Sequence, residues 1–106
     1  VGFAFGPSDF FMSGGGALAY ARYKENSLIN VSIVIEQNEK LIYLYINGVM
    51  SQIKKCDPSK DFSNTTSYLS FYPNNCDLDL YKVRVYNRAL NYAEVVQNLL
   101  ADLKDV

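Results

Sequence analysis

The sequence of 106 residues contains no histidine, and this absence limits the chemistry that the chain can perform. Without an imidazole there is no Ser–His–Asp arrangement, no Cys–His pair and no His-ligated metal. Carboxylate chemistry stays formally open. Glycoside hydrolysis requires two carboxyl groups that face one cleft, roughly 5–9.5 Å apart. Only Asp77 and Asp79 have the two-residue spacing that would place such a pair on one strand.

Asp77 and Asp79 follow Pro73-Asn74-Asn75 at the entry to an apolar run, where acidic residues are commonly solvated parts of a loop. We therefore expect no catalytic pair and no enzyme. Calcium binding is the second interpretation, because Asn74, Asn75, Asp77 and Asp79 supply hard oxygen ligands. The spacing of an EF-hand loop is absent. No other cofactor is expected.

Tyrosines on the predicted strands form the second set of candidates. They could provide a platform on which sugar rings stack: Tyr43, Tyr45, Tyr68, Tyr72 and Tyr86. The alternative is ordinary packing, since tyrosine is common on half-buried strands with its hydroxyl near water. Packing is favoured because the chain has no tryptophan, which usually leads in such platforms.

The two cysteines, Cys56 and Cys76, allow two interpretations. Reduced, partly buried thiols are slightly favoured. A single disulfide would suit an extracellular module. Two cysteines without a histidine are too few for a zinc site.

Charge and hydropathy exclude further partners. The formal net charge is −1 and there is no basic block, so we expect neither nucleic acid nor an anionic membrane surface as a partner. No apolar run approaches the ~20 residues of a membrane-spanning helix. Because the sequence opens at Val1 without a methionine or a charged leader, we expect an excised or processed piece of a larger chain.

The elements that position these residues are mostly strands. Alternating apolar residues predict strands over 17–23, 29–36, 40–46, 49–53 and 67–72. Asn47-Gly48 between two such runs predicts a type I′ hairpin. A long strand over Leu78–Tyr86, with a β-bulge near Leu80-Tyr81, is predicted to follow. The period then changes to that of an amphipathic helix over Asn91–Leu103. A capping box of Asn91 and Glu94 is predicted to begin that helix.

Two segments resemble signatures of one superfamily. Residues 44–49 (LYINGV) resemble the "LYVNG" hairpin of laminin G-like, concanavalin A-like jelly-roll domains. Residues 80–90 (LYKVRVYNRAL) resemble the closing strand of these domains, and residues 91–95 (NYAEV) continue the similarity into the final helix. The two signatures have the expected order and spacing, and the resemblance covers Ser27 to Leu103.

The resemblance implies an all-β protein: an antiparallel jelly-roll β-sandwich with a short C-terminal helix. It implies one domain over residues 1–106 that lacks or shortens the N-terminal strands. Val83 and Val85 would face the core between the sheets, while Lys82 and Arg84 would face outward. The Glu-x-Asp-x-x-Glu motif of the glucanase members is absent, which argues against a hydrolase.

The resemblance also suggests two functions. The first is a non-catalytic carbohydrate-binding or adhesion module of a larger extracellular, cell-surface or virion-associated protein, with a glycan or surface protein as its partner. The second is a structural module of a phage appendage or surface protein that docks to protein partners without binding sugar. A shortened sandwich exposes sheet edges, so the remainder of a larger chain or an oligomeric partner is expected to complete it.

Overall fold

The computed structural model of the protein describes residues 2–14, 17–57, 70–73 and 76–104. These residues form two sheets and one helix. In chain order the elements are β1 (Gly2–Phe5), β2 (Asp9–Gly14), β3 (Ala17–Arg22), β4 (Val31–Glu36), β5 (Leu41–Ile46), β6 (Val49–Lys55), β7 (Ser70–Pro73) and α1 (Tyr92–Lys104). The mostly β prediction with a C-terminal helix is therefore confirmed. Of the strand predicted over 67–72, residues 67–69 lie outside the described residues.

The first sheet has the strand order β3-β2-β1-β7. β1 pairs antiparallel with β2 and parallel with β7. Side chains that alternate along β2 and β3 face inward: Phe10, Met12, Ala19 and Ala21 are buried. At the turn between β1 and β2, a Cβ atom at Gly6 would lie 2.1 Å from the Asp9 Oδ1 atom, so a larger residue there requires the Asp9 side chain to move.

The second sheet is the predicted meander, with the order β4-β5-β6. Ile42 and Leu44 of β5 are fully buried and join the core of the first sheet. At the turn between β5 and β6, Asn47 and Gly48 have φ angles of 51° and 77°. A type I′ turn needs positive φ at both central residues, so the predicted hairpin is confirmed. A register shift between Leu44 and Tyr45 marks an irregularity in the ladder of β5 and β6.

Helix α1 covers the outer face of the second sheet. Val95 is fully buried and packs with Val34 of β4 and Tyr45 of β5. The helix therefore forms an additional layer over this sheet. No helix among the described residues has the length and apolar character that crossing a membrane requires.

The capping box at the start of α1 is present as predicted. The Glu94 N–H donates to the Asn91 Oδ1 atom at 2.9 Å, and the Asn91 N–H donates to the Glu94 Oε1 atom at 3.0 Å. Arg88 adds a bond from its Nη1 atom to Glu94 Oε1 at 2.9 Å. The bonds with Arg88 and with the Asn91 backbone lower the pKa of Glu94 from 4.5 to about 2.

We expect this cap to weaken in acid. A carboxyl whose pKa is lowered by folding stabilises the folded state above its unfolded pKa, and the stabilisation is lost as the pH falls from about 4.5 to about 2. Circular dichroism at a helical wavelength, followed from about pH 6 to about pH 2, should show the wild-type helix losing signal in this window. Glu94→Gln should lack this component. Parallel loss in the two proteins would contradict the assignment.

The predicted strand over Leu78–Tyr86 is wrong. We refer to residues 77–86 as the strap: they form no strand, and the β-bulge predicted near Leu80-Tyr81 is absent with it. Val83 and Val85, predicted to face the core, are 48% and 70% exposed. The reason is that alternation alone does not make a strand, which also needs a neighbouring edge within a ladder spacing of about 4.8 Å.

Candidate binding surfaces

The predicted tyrosine platform is only partly assembled among the described residues. Tyr43 and Tyr45 lie on the same face of β5, but α1 covers this face and Tyr45 is 6% exposed. Burial raises the pKa of Tyr45, and Tyr43 and Tyr92 act in the same direction. Tyr72 belongs to β7, where its side chain is not described, and Tyr68 lies outside the described residues.

Tyr86 is not part of the group formed by Tyr43 and Tyr45. Its hydroxyl accepts a hydrogen bond from Asn98 Nδ2 of α1 at 3.1 Å. Tyr92, by contrast, joins the group. Its ring centroid lies 5.8 Å from that of Tyr45, at an interplanar angle of 33°. Sequence reasoning missed Tyr92, although helical spacing already placed it one turn from Val95.

A small pocket of about 260 Å³ lies where these rings meet the end of β4. Glu36 and Glu39 contribute carboxylates at its rim, and Asn91 contributes its amide. The remaining lining residues are apolar or aromatic: Val34, Tyr43, Tyr45, Ala89, Leu90 and Tyr92. This combination suits one small polar ring or one side chain, because drug-sized ligands occupy roughly 300–1,000 Å³.

The four residues predicted for calcium are not brought together by the described structure. Asp77 and Asp79 are exposed, and Asn74 and Asn75 lie outside the described residues. In the described ranges no group of three or more His, Cys, Asp or Glu residues could hold a metal ion. The calcium site therefore stays a prediction.

Both cysteines are free thiols. Cys56 is buried, which raises the pKa of its thiol, while Lys40 acts in the opposite direction. Cys76 is half-buried, and its Sγ atom donates to the Phe5 carbonyl oxygen at 3.1 Å. A buried thiol with a raised pKa is inert rather than nucleophilic.

A cleft of about 1760 Å³ lies between β4 and the strap. Its floor is apolar, with Phe5 and Phe10 from the first sheet and Ile33 and Ile35 from β4. Leu78 packs on the core at one end of the strap, while Ala89 and Leu90, just beyond its other end, pack near Val95. The strap is thus held at both ends across an open groove.

Asp102 of α1 holds the middle of the strap. Its Oδ1 atom lies 2.6 Å from Arg84 Nη1 and 3.5 Å from Lys82 Nζ, and its Oδ2 atom accepts a hydrogen bond from Asn30 Nδ2 at 2.9 Å. Oδ1 is buried, and neither cation approaches it with hydrogen-bond geometry. The two cations therefore balance its charge by proximity. The contact with Asp102 also explains the orientation of the strap. Lys82 and Arg84 point to the helix, and Val83 and Val85 are exposed to solvent.

Two backbone edges border the cleft. Among the described residues β4 is the last strand of the second sheet, and the strap takes part in no ladder. Extended backbones with unpaired N–H and C=O groups are templates for pairing with another strand. Both borders of the cleft therefore carry backbone groups that have no ladder partner among the described residues.

No family model matches this sequence, and no curated protein matches it. The fold is similar to a crystal structure of an S-layer domain-containing protein from Clostridium thermocellum, with a TM-score of 0.56 and 16% sequence identity. The similarity covers 86% of this chain and 50% of that one. The chain thus spans about half the length of the structure to which it is similar, and the likeness concerns the fold.

Proposed function

We propose that this chain is a non-catalytic docking module that binds a protein partner within a larger surface protein. The observation that carries the proposal is the cleft of about 1760 Å³, bordered by β4 and by the strap. Binding by strand addition uses such edges: main-chain hydrogen bonds supply affinity, and pockets for alternate side chains supply specificity.

A cell-surface location is part of the proposal. It is supported by the fold similarity to an S-layer domain-containing protein and by the resemblance of residues 44–49 and 80–90 to laminin G-like, concanavalin A-like domains. We include membership of that superfamily, with its jelly-roll topology, in the proposal. A virion appendage is the other setting that the resemblance suggests.

Carbohydrate binding is the second candidate function, and the small pocket beside α1 favours it. Tyr43 and Tyr92 offer aromatic faces there, and Glu36 and Glu39 offer hydrogen-bond acceptors. The pocket is small and the face around it is occupied by the helix. The cleft is several times larger, and the two backbones at its borders have no ladder partner there among the described residues, so docking of protein is the better-supported function.

A parallel screen separates the two functions. The purified chain would be screened against a random peptide display library and against a glycan array, the latter with calcium and with EDTA. We expect enriched peptides. Leu80→Glu, which changes a half-exposed residue lining the cleft, should weaken their binding at least about tenfold, since it places a charge in an apolar contact.

Leu100→Glu is the matched control. Leu100 is 55% exposed against 50% for Leu80, but it lies on α1 outside the cleft lining. Its substitution should leave peptide binding unchanged. A glycan hit without any enriched peptide, lost in Tyr43→Ala, would instead establish the carbohydrate-binding function.

A further inference from the structure

The direction of the strap can be derived from its contacts with α1. Arg84 contacts Asp102, Tyr86 bonds with Asn98, and Leu90 packs near Val95. As the residue number rises along the strap and its continuation, the number of the helical partner falls. The strap therefore runs antiparallel to α1.

The direction of β4 follows from the same helix. Asn30, just before β4, bonds with Asp102 near the end of α1. Val34, further along β4, packs with Val95 near the start of α1. β4 is therefore also antiparallel to α1, so β4 and the strap run parallel to each other.

The shared direction of β4 and the strap has a consequence for the cleft between them. The second sheet is antiparallel throughout, and neighbouring strands of such a sheet alternate in direction. Two strands of the same direction are then separated by one strand of the opposite direction. An antiparallel ladder that joined β4 to the strap would therefore contain one strand between them.

The volume of the cleft is sufficient for one additional strand. A strand spacing of about 4.8 Å, a rise of about 3.3 Å and a sheet separation of about 10 Å give each strand residue roughly 160 Å³. A cleft of about 1760 Å³ therefore has room for a strand of roughly ten residues.

One end of the cleft is acidic. Tyr23 donates to the Gly6 carbonyl and Cys76 to the adjacent Phe5 carbonyl, which brings residues 23–25 and 76–79 together. In this described part of the chain three exposed carboxylates line the cleft without an ion-pair partner, namely Glu25, Asp77 and Asp79. The cations Lys82, Arg84 and Arg88 are each paired with a carboxylate of α1.

We propose that the cleft is the slot for one extended segment of a partner protein, inserted between β4 and the strap and antiparallel to both. The segment carries apolar side chains at alternate positions, which meet the floor of the cleft. The strap begins at the acidic end of the cleft. A segment that runs antiparallel to the strap therefore has its C-terminal end there. Lysine or arginine at that end complements Asp77 and Asp79. This inference rests on the proposed docking function and adds the class, direction and polarity of the partner.

Two isomeric peptides test the direction. The probe is Thr-Val-Thr-Val-Thr-Val-Thr-Val-Lys-Lys, blocked at both ends, and its isomer carries Lys-Lys at the N-terminus. Fluorescence polarisation should show tighter binding of the probe by roughly threefold to tenfold, as expected for two exposed ion pairs. Hydrogen exchange should show that the probe protects the amides of residues 31–36 and 80–86. A probe with proline at its centre should fail to bind, because proline removes a ladder donor.

Asp77→Asn combined with Asp79→Asn should abolish the preference between the isomers. The matched control, Gln97→Lys with Ala101→Lys, changes the net charge by the same amount on the exposed face of α1. This control should keep the preference between the isomers. Equal binding of the isomers to the wild type, or protection confined to β6, would overturn the inference.

The display screen distinguishes an error in the direction and charge of the segment from an error in the docking function itself. The wild-type chain could enrich peptides that lack a basic C-terminal end and that Leu80→Glu no longer binds. This result would support the docking function and overturn the stated direction and charge of the segment. Light scattering of the chain alone adds one further outcome. A dimer in which residues 31–36 are already protected would assign the slot to a second copy and overturn the partner.

Discussion

Phe10→Ala should lower the free energy of unfolding by about 4 kcal/mol. Phe10 is 1% exposed, and its ring centroid lies 4.9 Å from that of Phe5 and 6.0 Å from that of Phe3. Truncation removes this contact and leaves a cavity between the sheets that the neighbouring strands can fill only in part. Since small domains have about 5–15 kcal/mol of stability in total, the variant should be close to unfolding. Urea denaturation followed by circular dichroism measures the change.

Phe11→Ala provides the control one residue along the same strand. Phe11 is only half-buried and stacks on Tyr20 across the outer face of the first sheet, with ring centroids 6.0 Å apart. The same truncation should cost about 1 kcal/mol there, because most of the change occurs next to solvent. Equal losses at the two positions would contradict the assignment of Phe10 to the core.

Asp102→Asn should lower the free energy of unfolding by about 1 kcal/mol, since it removes the charge of two partly exposed ion pairs and leaves the shape unchanged. Arg84 and Lys82 lose their ion pairs with Asp102, while the hydrogen bond from Asn30 can persist to the amide oxygen. The strap should be released from α1 before the sheets unfold. Urea denaturation measures the stability, and hydrogen exchange should show faster exchange at residues 80–86.

The control for Asp102 is Asp79→Asn, which neutralises an exposed carboxylate outside any ion pair of the described residues. Its effect should stay within about 0.5 kcal/mol. If Asp102→Asn behaved like Asp79→Asn, the contact with Arg84 and Lys82 would not be what holds the strap.

The local features of the fold were predictable because short-range rules govern them. Asn47-Gly48 predicted a type I′ hairpin, and the positive φ angles of both residues confirm it. Asn91 and Glu94 predicted the start of α1, and their reciprocal bonds confirm it. In each case the pattern lies within a few residues, and the physical requirement is met by those residues alone.

The features that depend on distant residues were not predictable in the same way. The alternation of Val83 and Val85 indicated a strand, but pairing depends on whether an edge lies beside them. Tyr43 and Tyr45 share a face as their spacing predicted, but no pattern within β5 showed that α1 would cover that face. The cleft is likewise a product of packing, since its two borders are more than forty residues apart in the sequence.

The parallel pairing of β1 with β7 has a consequence for the order of folding. Gly2 lies opposite Ser70, so this pairing must close a loop that spans most of the chain. The hairpins of β4, β5 and β6 close much shorter loops, and local contacts form faster than distant ones. We therefore expect the meander to form early and the last strand of the first sheet to join late. During synthesis on a ribosome, β1 would emerge more than sixty residues before β7, its second neighbour in the sheet.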